Sequence, residues 1–347
     1  MVSHNDLLHF LQAVQQQCGG VIPIERFMKE ALYHPVFGYY SSRIHNVGAK
    51  GDFSTSATLD PHLGKAIAHW IANRAKALGW KSIPIIEVGA GSGLLALSIL
   101  RHSGWIERWR SDYMICEASP ILRGRQKENL RWHDVRWIED LQEGLERSGG
   151  RALIFSNELV DAFPCRVFQK TGKGWDELGI IIHPDGSLSE TTANPATQDS
   201  WFEKFSELKE GQRVERHDSY LDWQRNWNSH WKEGRLLTID YGNLREGLYS
   251  GHPEGSLRAY WKHQRYTGLD LYARFGKQDL TADVNFSDLI AWGKSFGWRE
   301  ISFMTQRAFL KQWIPTINPD EAKNRFLIPD DVGDVFKVLE QCPGEPQ

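Results

Sequence analysis

Acidic residues recur along this chain just where short apolar runs stop, and each is placed to hold a polar ligand at the end of a buried strand. Glu87 lies near the end of the run 83–88 and precedes Gly89, Gly91 and Gly93. Glu117 and Ala118 follow the run 113–116, and Asp140 and Leu141 follow 135–138. Asn157, Glu158 and Asp161 come just beyond 152–155, and Asp240 ends 236–240. Any one of these acids alone reads as a helix cap or a solvated loop. Recurrence at five strand ends is what points to a site.

The glycines let the backbone turn tightly and approach a ligand, and a helix starting at Leu94 would offer free N–H groups. Glu117, at the tip of the next strand, suits hydrogen bonds from ribose hydroxyls, and Asp140 suits an adenine amino group. The combination predicts a pocket for a nucleoside-containing cofactor, with two cofactors open. Gly91-x-Gly93-x-x-Ala96 fits the dinucleotide fingerprint, with Glu117 near the distance expected of the ribose acid. Glu87-x-Gly89-x-Gly91-x-Gly93 fits the acid-then-glycines turn of S-adenosylmethionine (SAM) enzymes, where no pyrophosphate needs cradling. An ordinary strand-to-helix turn is a third reading, and it leaves Glu117 unexplained.

Glu158 and Asp161 are the candidate catalytic pair. A sulfonium methyl donor is already activated, so a protein using it mainly aligns the acceptor and stabilises charge. A guanidine acceptor would arrive as a cation, with an intrinsic pKa of roughly 12.5–13.8. One or two carboxylates can hold that cation bidentately and favour the nitrogen facing the methyl. Asp240 is a weaker candidate for the same task. Hydride transfer would instead call for a proton donor such as His or Tyr.

Positioning these residues takes a parallel sheet. Strands over 83–88, 113–116, 135–138, 152–155 and 236–240 alternate with helices over 94–101 and 121–130, which implies a sheet covered on both faces with its ligands beyond the carboxyl ends. The expected fold is α/β, a Rossmann-like core with a mostly parallel seven-stranded sheet. Residues 1–80 read as an N-terminal helical cap and cofactor lid, and 81–164 as the first part of the core. An inserted lobe fills 165–234, opening on a hairpin around Gly172–Gly174. The span 235–347 reads as the rest of the core, with an irregular substrate-side segment 242–285, a helix over 286–296 and a strand near 300–304. Trp223, Trp227 and Trp231 fall four apart in an expected helix 222–233; they pack inward or form a stripe for a partner.

With 347 residues, 41% hydrophobic, the chain supports a substantial core, and its net charge of −3 offers no whole-chain basic field for nucleic acid. The four cysteines are scattered, without metal-like pairing. The first 20 residues read as an amphipathic helix rather than a signal peptide, and no run approaches a membrane span. A cytoplasmic protein with no metal, no nucleic-acid partner and no membrane insertion is expected, and a homodimer is compatible with the sequence.

An ordered series of motifs resembles the MidA-like family of SAM-dependent methyltransferases, from about residue 22 to 313. It includes the stretch 24–40, Gly51-Asp-Phe-Ser-Thr-Ser56, Glu87-Val-Gly-Ala-Gly-Ser-Gly93 and Ser156-Asn-Glu-Leu-Val-Asp-Ala-Phe-Pro164. Ile239-Asp-Tyr-Gly242, Gly255-Ser-Leu-Arg-Ala-Tyr260, Asp279-Leu-Thr-Ala282 and Thr305-Gln306 follow. The resemblance implies SAM rather than NAD, a protein arginine as acceptor, and a lid in which Thr55 and Ser56 lie near the methionine end of the cofactor. The chain departs from the family pattern at Ala57-Thr58, at Cys165-Arg166, at Asp283 and in 271–275. These positions are expected to face the acceptor, which keeps a small-molecule methyltransferase and a SAM-binding assembly factor with little turnover in play.

Overall fold

The run Ile83-Pro-Ile-Ile-Glu-Val forms strand β1 (Ile83–Val88), buried at every position, as a strand covered by helices on both faces must be. Around it run β2 (Ser111–Cys116), β3 (Val135–Ile138), β4 (Arg151–Asn157), β5 (Glu233–Asn243), β6 (Arg299–Thr305) and β7 (Phe336–Cys342). Their order across the sheet is β3-β2-β1-β4-β5-β7-β6. β1 pairs in parallel with β2 and β4, β2 with β3, and β4 with β5. β7 is antiparallel to both β5 and β6, so six strands share one direction and one opposes them. The computed structural model describes residues 4–43, 61–262, 264–314 and 324–344.

Two hydrophobic layers cover this sheet. On one face, helices α1 (Pro61–Ala77) and α2 (Leu94–His102) place Ile67, Trp70 and Ile99 against Ile85, Phe155 and Val338. On the other, Leu141 and Leu145 pack with Trp227, Trp231 and Trp298 over Ile86, Met114 and Ile154. Helices α3 (Trp105–Arg110), α4 (Pro120–Asn129), α5 (Leu141–Arg147), α6 (Asp218–Trp227), α7 (Phe286–Ser295) and α8 (Gln306–Trp313) complete the set used below.

Among the described residues the chain divides into two compact units, one of 61–161, 221–244 and 286–344, the other of 4–43, 162–220 and 245–285. The boundaries differ from those read off the sequence. Helix α1 belongs to the sheet unit, because Leu63, Ile67, Trp70 and Ile71 are buried in its core, and the stretch assigned to the other unit before it stops at Arg43. Residues 221–234 also join the sheet unit. Trp227 and Trp231 are 2% and 3% exposed there, and Trp231 Nε1 donates to the Ala152 carbonyl at 3.3 Å. The helix carrying Trp227 stops at that residue, short of the expected 233.

The second unit is built on an antiparallel sheet of Arg166–Thr171, Gly174–Ile182, Leu188–Thr197 and Arg213–Arg216, with Ile22–Pro23 added at one edge. A small sheet of Arg258–Trp261, Gln264–Tyr266 and Asp279–Thr281 accompanies it.

Candidate functional site

Strand order reverses at β1, where β2 leaves on one side and β4 on the other, and ligands of such sheets gather at the carboxyl ends beside that point. The glycine turn stands there. Gly89, Gly91 and Gly93 have φ of 68°, 55° and 80°, a left-handed backbone that glycine adopts without cost. A Cβ at Gly89 would lie 2.8 Å from Leu159 Cδ1, and one at Gly93 3.2 Å from Gln126 Cγ. Gly93 is the N-cap of α2 and supplies no side-chain cap, leaving the first-turn amides for a ligand.

Glu117 follows β2 and is 7% exposed. Its Oε1 accepts from Ser119 N at 2.9 Å and its Oε2 from Gln126 Nε2 at 3.0 Å. Burial pushes this carboxyl's pKa up, and those donors pull it back. Ala118 beside it is exposed. Gln126 is the residue that sequence reasoning missed. Its amide nitrogen also donates to the Gly91 carbonyl at 2.8 Å, and its oxygen accepts from Trp137 Nε1 at 2.9 Å. One fully buried amide thus ties the glycine turn to the ribose-type acid and to β3. The signal was a polar residue four after Leu122 on the buried stripe of α4.

Glu87 is 2% exposed beneath the turn, and Tyr113 donates its hydroxyl to Glu87 Oε2 at 2.7 Å. Burial raises the Glu87 pKa to about 7. Asp140 caps α5, its Oδ1 accepting from Glu143 N at 2.8 Å. The Leu141 side chain lies in the core, so only its backbone can face a ligand. Thr55, Ser56 and Thr58 lie outside the described residues.

The end of β4 carries Asn157, Glu158 and Asp161. Asn157 Nδ2 donates to Glu158 Oε1 at 3.1 Å. Glu158 has φ of 52°, a left-handed backbone on a non-glycine residue, and such residues persist where the surroundings over-determine them. Asp240 supplies that constraint. Its Oδ2 accepts from the backbone N–H groups of Leu159, Val160 and Asp161 at 3.2, 2.9 and 3.4 Å, and its Oδ1 from Tyr241 N at 2.9 Å. Asp240 has no exposure at all, and these bonds all come from backbone N–H groups, so its part here is to shape the acidic turn. Burial, then Asp161 and Glu158, push its pKa well up, against the pull of the backbone donors. The Tyr241 hydroxyl donates to Asp161 Oδ2.

Three of the departures from the family pattern have partners within the chain. Cys165 is fully buried, its thiol 3.7 Å from Met28 Sδ. Arg166 is engaged by Glu177 at 2.7 Å and Asp218 at 3.4 Å. Asp283 takes Arg258 Nη1 at 2.5 Å.

A doubly wound sheet whose one antiparallel strand lies between β5 and β6, with a glycine turn and a ribose-type acid at the switch point, is the architecture of the class I methyltransferases. Residues 66–304 match the sequence profile of a family of S-adenosyl-L-methionine-dependent methyltransferases. The chain belongs to this MidA-like family, with SAM as cofactor. Mouse protein arginine methyltransferase NDUFAF7, mitochondrial, is 28% identical over 328 residues, spanning 84% of this chain and 70% of its own. The human protein of that name is 27% identical over 326 residues, with 84% and 70% covered. A solved COG1565 superfamily member from Burkholderia thailandensis, bound to S-adenosyl-homocysteine, superposes with a TM-score of 0.84 at 26% identity, covering 99% of this chain and 93% of that one. These relatives overturn the cytoplasmic location expected above, because the curated ones are named mitochondrial proteins. Among the described residues no helix is long and apolar enough to cross a membrane.

Proposed function

We propose that this methyltransferase acts on an arginine side chain of a protein. The observation that carries the reading is the acidic turn after β4, where the backbone N–H groups of Leu159, Val160 and Asp161 all donate to Asp240 and so set Glu158 and Asp161. The name carried by the curated relatives, protein arginine methyltransferase, supports the same acceptor.

The residues present fit SAM. Glu117 accepts from Ser119, Gln126 and the Gly91 backbone, and a carboxylate's remaining lone-pair site would take a ribose hydroxyl. The Gly89–Gly93 turn would lie against the methionine portion, with Glu87 beneath it. Ala118, Asp140 and the backbone of Leu141 would flank the adenine, and Asn157 would stand between cofactor and acceptor. When bound, SAM supplies a sulfonium methyl already activated for transfer. Glu158 and Asp161 would hold the guanidinium and orient one nitrogen towards that methyl, and a carboxylate there can take the proton the methylated nitrogen releases.

Incubation with methyl-labelled SAM and fractionated lysate, followed by mass spectrometry, tests this. Methylarginine in a protein band is expected. Glu158→Gln and Asp161→Asn should each lower transfer about 100-fold with SAM affinity by calorimetry held within a few-fold. Label confined to small metabolites would overturn the protein acceptor, and SAM binding with no label anywhere would favour an assembly factor. Wild-type transfer in both variants would remove the two acids from the mechanism.

A further inference from the structure

The strongly exposed tryptophans of the sheet unit lie at the edge away from the cofactor turn. Helix α3 buries none of its residues. Trp105 and Trp109, four apart and so on one side of it, are 73% and 83% exposed, and Ile106 beside them 44%. Trp132, 84% exposed, lies in the turn between α4 and β3. Helix α3 runs straight into β2 and that turn into β3, and these strands are parallel neighbours, Tyr113 opposite Val135. Both features therefore sit at the amino ends of the strands. The glycine turn sits at the carboxyl ends, about 20 Å away at the rise of a six-residue strand.

The surroundings are basic. Arg101, Arg108 and Arg131 are exposed here, against one exposed acid in the turn, Asp134. The Arg131 guanidinium lies 5.4 Å over the Trp132 ring. Burial, then Arg101 and Arg108, hold the His133 pKa below its usual value, which sets both arginines beside the Trp132 turn. An open cleft of about 580 Å³ alongside α3, lined by Lys76, Lys81 and Arg110 against the one acid Glu107, adds net positive charge to the same edge. Glu107 folds back over Gly104, where a Cβ would meet its carboxylate at 2.2 Å. A typical protein surface does not spend three tryptophans on water.

We propose that this edge docks on an anionic membrane surface, the tryptophans entering the headgroup layer and the arginines meeting lipid phosphates. Tryptophan is the side chain that a membrane–water interface favours, with an apolar body and one polar N–H. Basic residues beside interfacial aromatics add attraction to anionic lipid. Charge argues against a second copy, since a twofold contact would set these arginines against their own counterparts. A single-stranded nucleic acid would need open ring faces, and Arg131 covers one face of Trp132 while Ile106 stacks no base. Docked this way, the carboxyl ends of the sheet point away from the lipid.

Sedimentation of the full chain with vesicles tests the assignment. Binding is expected to phosphatidylcholine mixed with phosphatidylglycerol and not to phosphatidylcholine alone. Changing Arg101, Arg108 and Arg131 together to Gln should weaken it about 100-fold. Trp105→Ala with Trp109→Ala should weaken it about tenfold or more. Calorimetric SAM binding checks that both variants are folded. Equal binding to the two vesicles, binding to neither, or undiminished binding by both variants overturns the proposal. So does a single-stranded DNA, or a dimer in analytical ultracentrifugation, that the wild type forms and these variants lose.

Discussion

Burial holds the Glu87 carboxyl near pH 7, with Tyr113 pulling the value down and Glu117 adding to the rise. Because the folded-state value exceeds the unfolded one of 4.5, this group's contribution to stability is complete below pH 4.5. It is lost as pH climbs through about 7. Without cofactor, the wild type should therefore lose on the order of 3 kcal/mol relative to Glu87→Gln across that window. Urea unfolding at a series of pH values measures it, and a pH-independent gap would sink the account. Asp240 makes a sharper case. An amide in its place turns a donor towards backbone donors whichever way it is flipped. Asp240→Asn should cost about 2 kcal/mol of stability and lower kcat at least about tenfold, while the SAM dissociation constant moves little. A variant that weakened SAM binding and left kcat intact would show that the acidic turn does not need this carboxylate. At this scale the strand-end acids stood out in the sequence, because an acid closing an apolar run is visible locally. What each is bonded to was not. Asp240 read as a ligand group because nothing in Ile239-Asp-Tyr-Gly242 announces the three amides from 159–161, and Gln126 carried no acid or glycine to mark it.

The parallel strands β1 to β5 were legible because each is a short apolar run between turn residues, and a buried strand needs nothing else. Strand β7 was not. Phe336-Lys-Val-Leu-Glu-Gln-Cys342 carries three polar side chains, yet all seven residues are buried. Glu340 is 2% exposed because Arg74 takes both of its oxygens at 2.7 Å; the pairing partner lies 266 residues away and leaves no local trace. The tryptophans divide along the same line. Trp227 stacks on Trp298 with ring centroids 5.4 Å apart, whereas Trp132 stands in solvent, and composition cannot tell them apart. Trp227→Ala should cost about 3–5 kcal/mol through the cavity it leaves, and Trp132→Ala less than about 0.5 kcal/mol. Thermal and denaturant unfolding of the two variants compares them directly; similar losses would refute the division.

The two units are each assembled from separated stretches of chain, and this is the part the sequence conveyed least. Ile22 pairs with Ile180 at one edge of the second unit's sheet, a contact set by which surfaces remain to be covered. Local patterning supplied the elements, but the division of α1 and of residues 221–234 between the units depended on tertiary packing. Removing residues 336–347 should leave β5 with an unpaired edge and cut the edge strand β6 off from the sheet. The truncated chain is expected to be insoluble or to unfold without cooperativity, and a sharp wild-type-like melt would contradict it. The same strand order has a consequence for synthesis. Six strands are translated before β7, yet its slot lies between two of them, about 9.6 Å wide at ordinary strand spacing. A ribosome making this protein must therefore carry a sheet with a gap between β5 and its edge strand β6 until β7 is made. That interval is where a chaperone that shields strand edges would have most to protect.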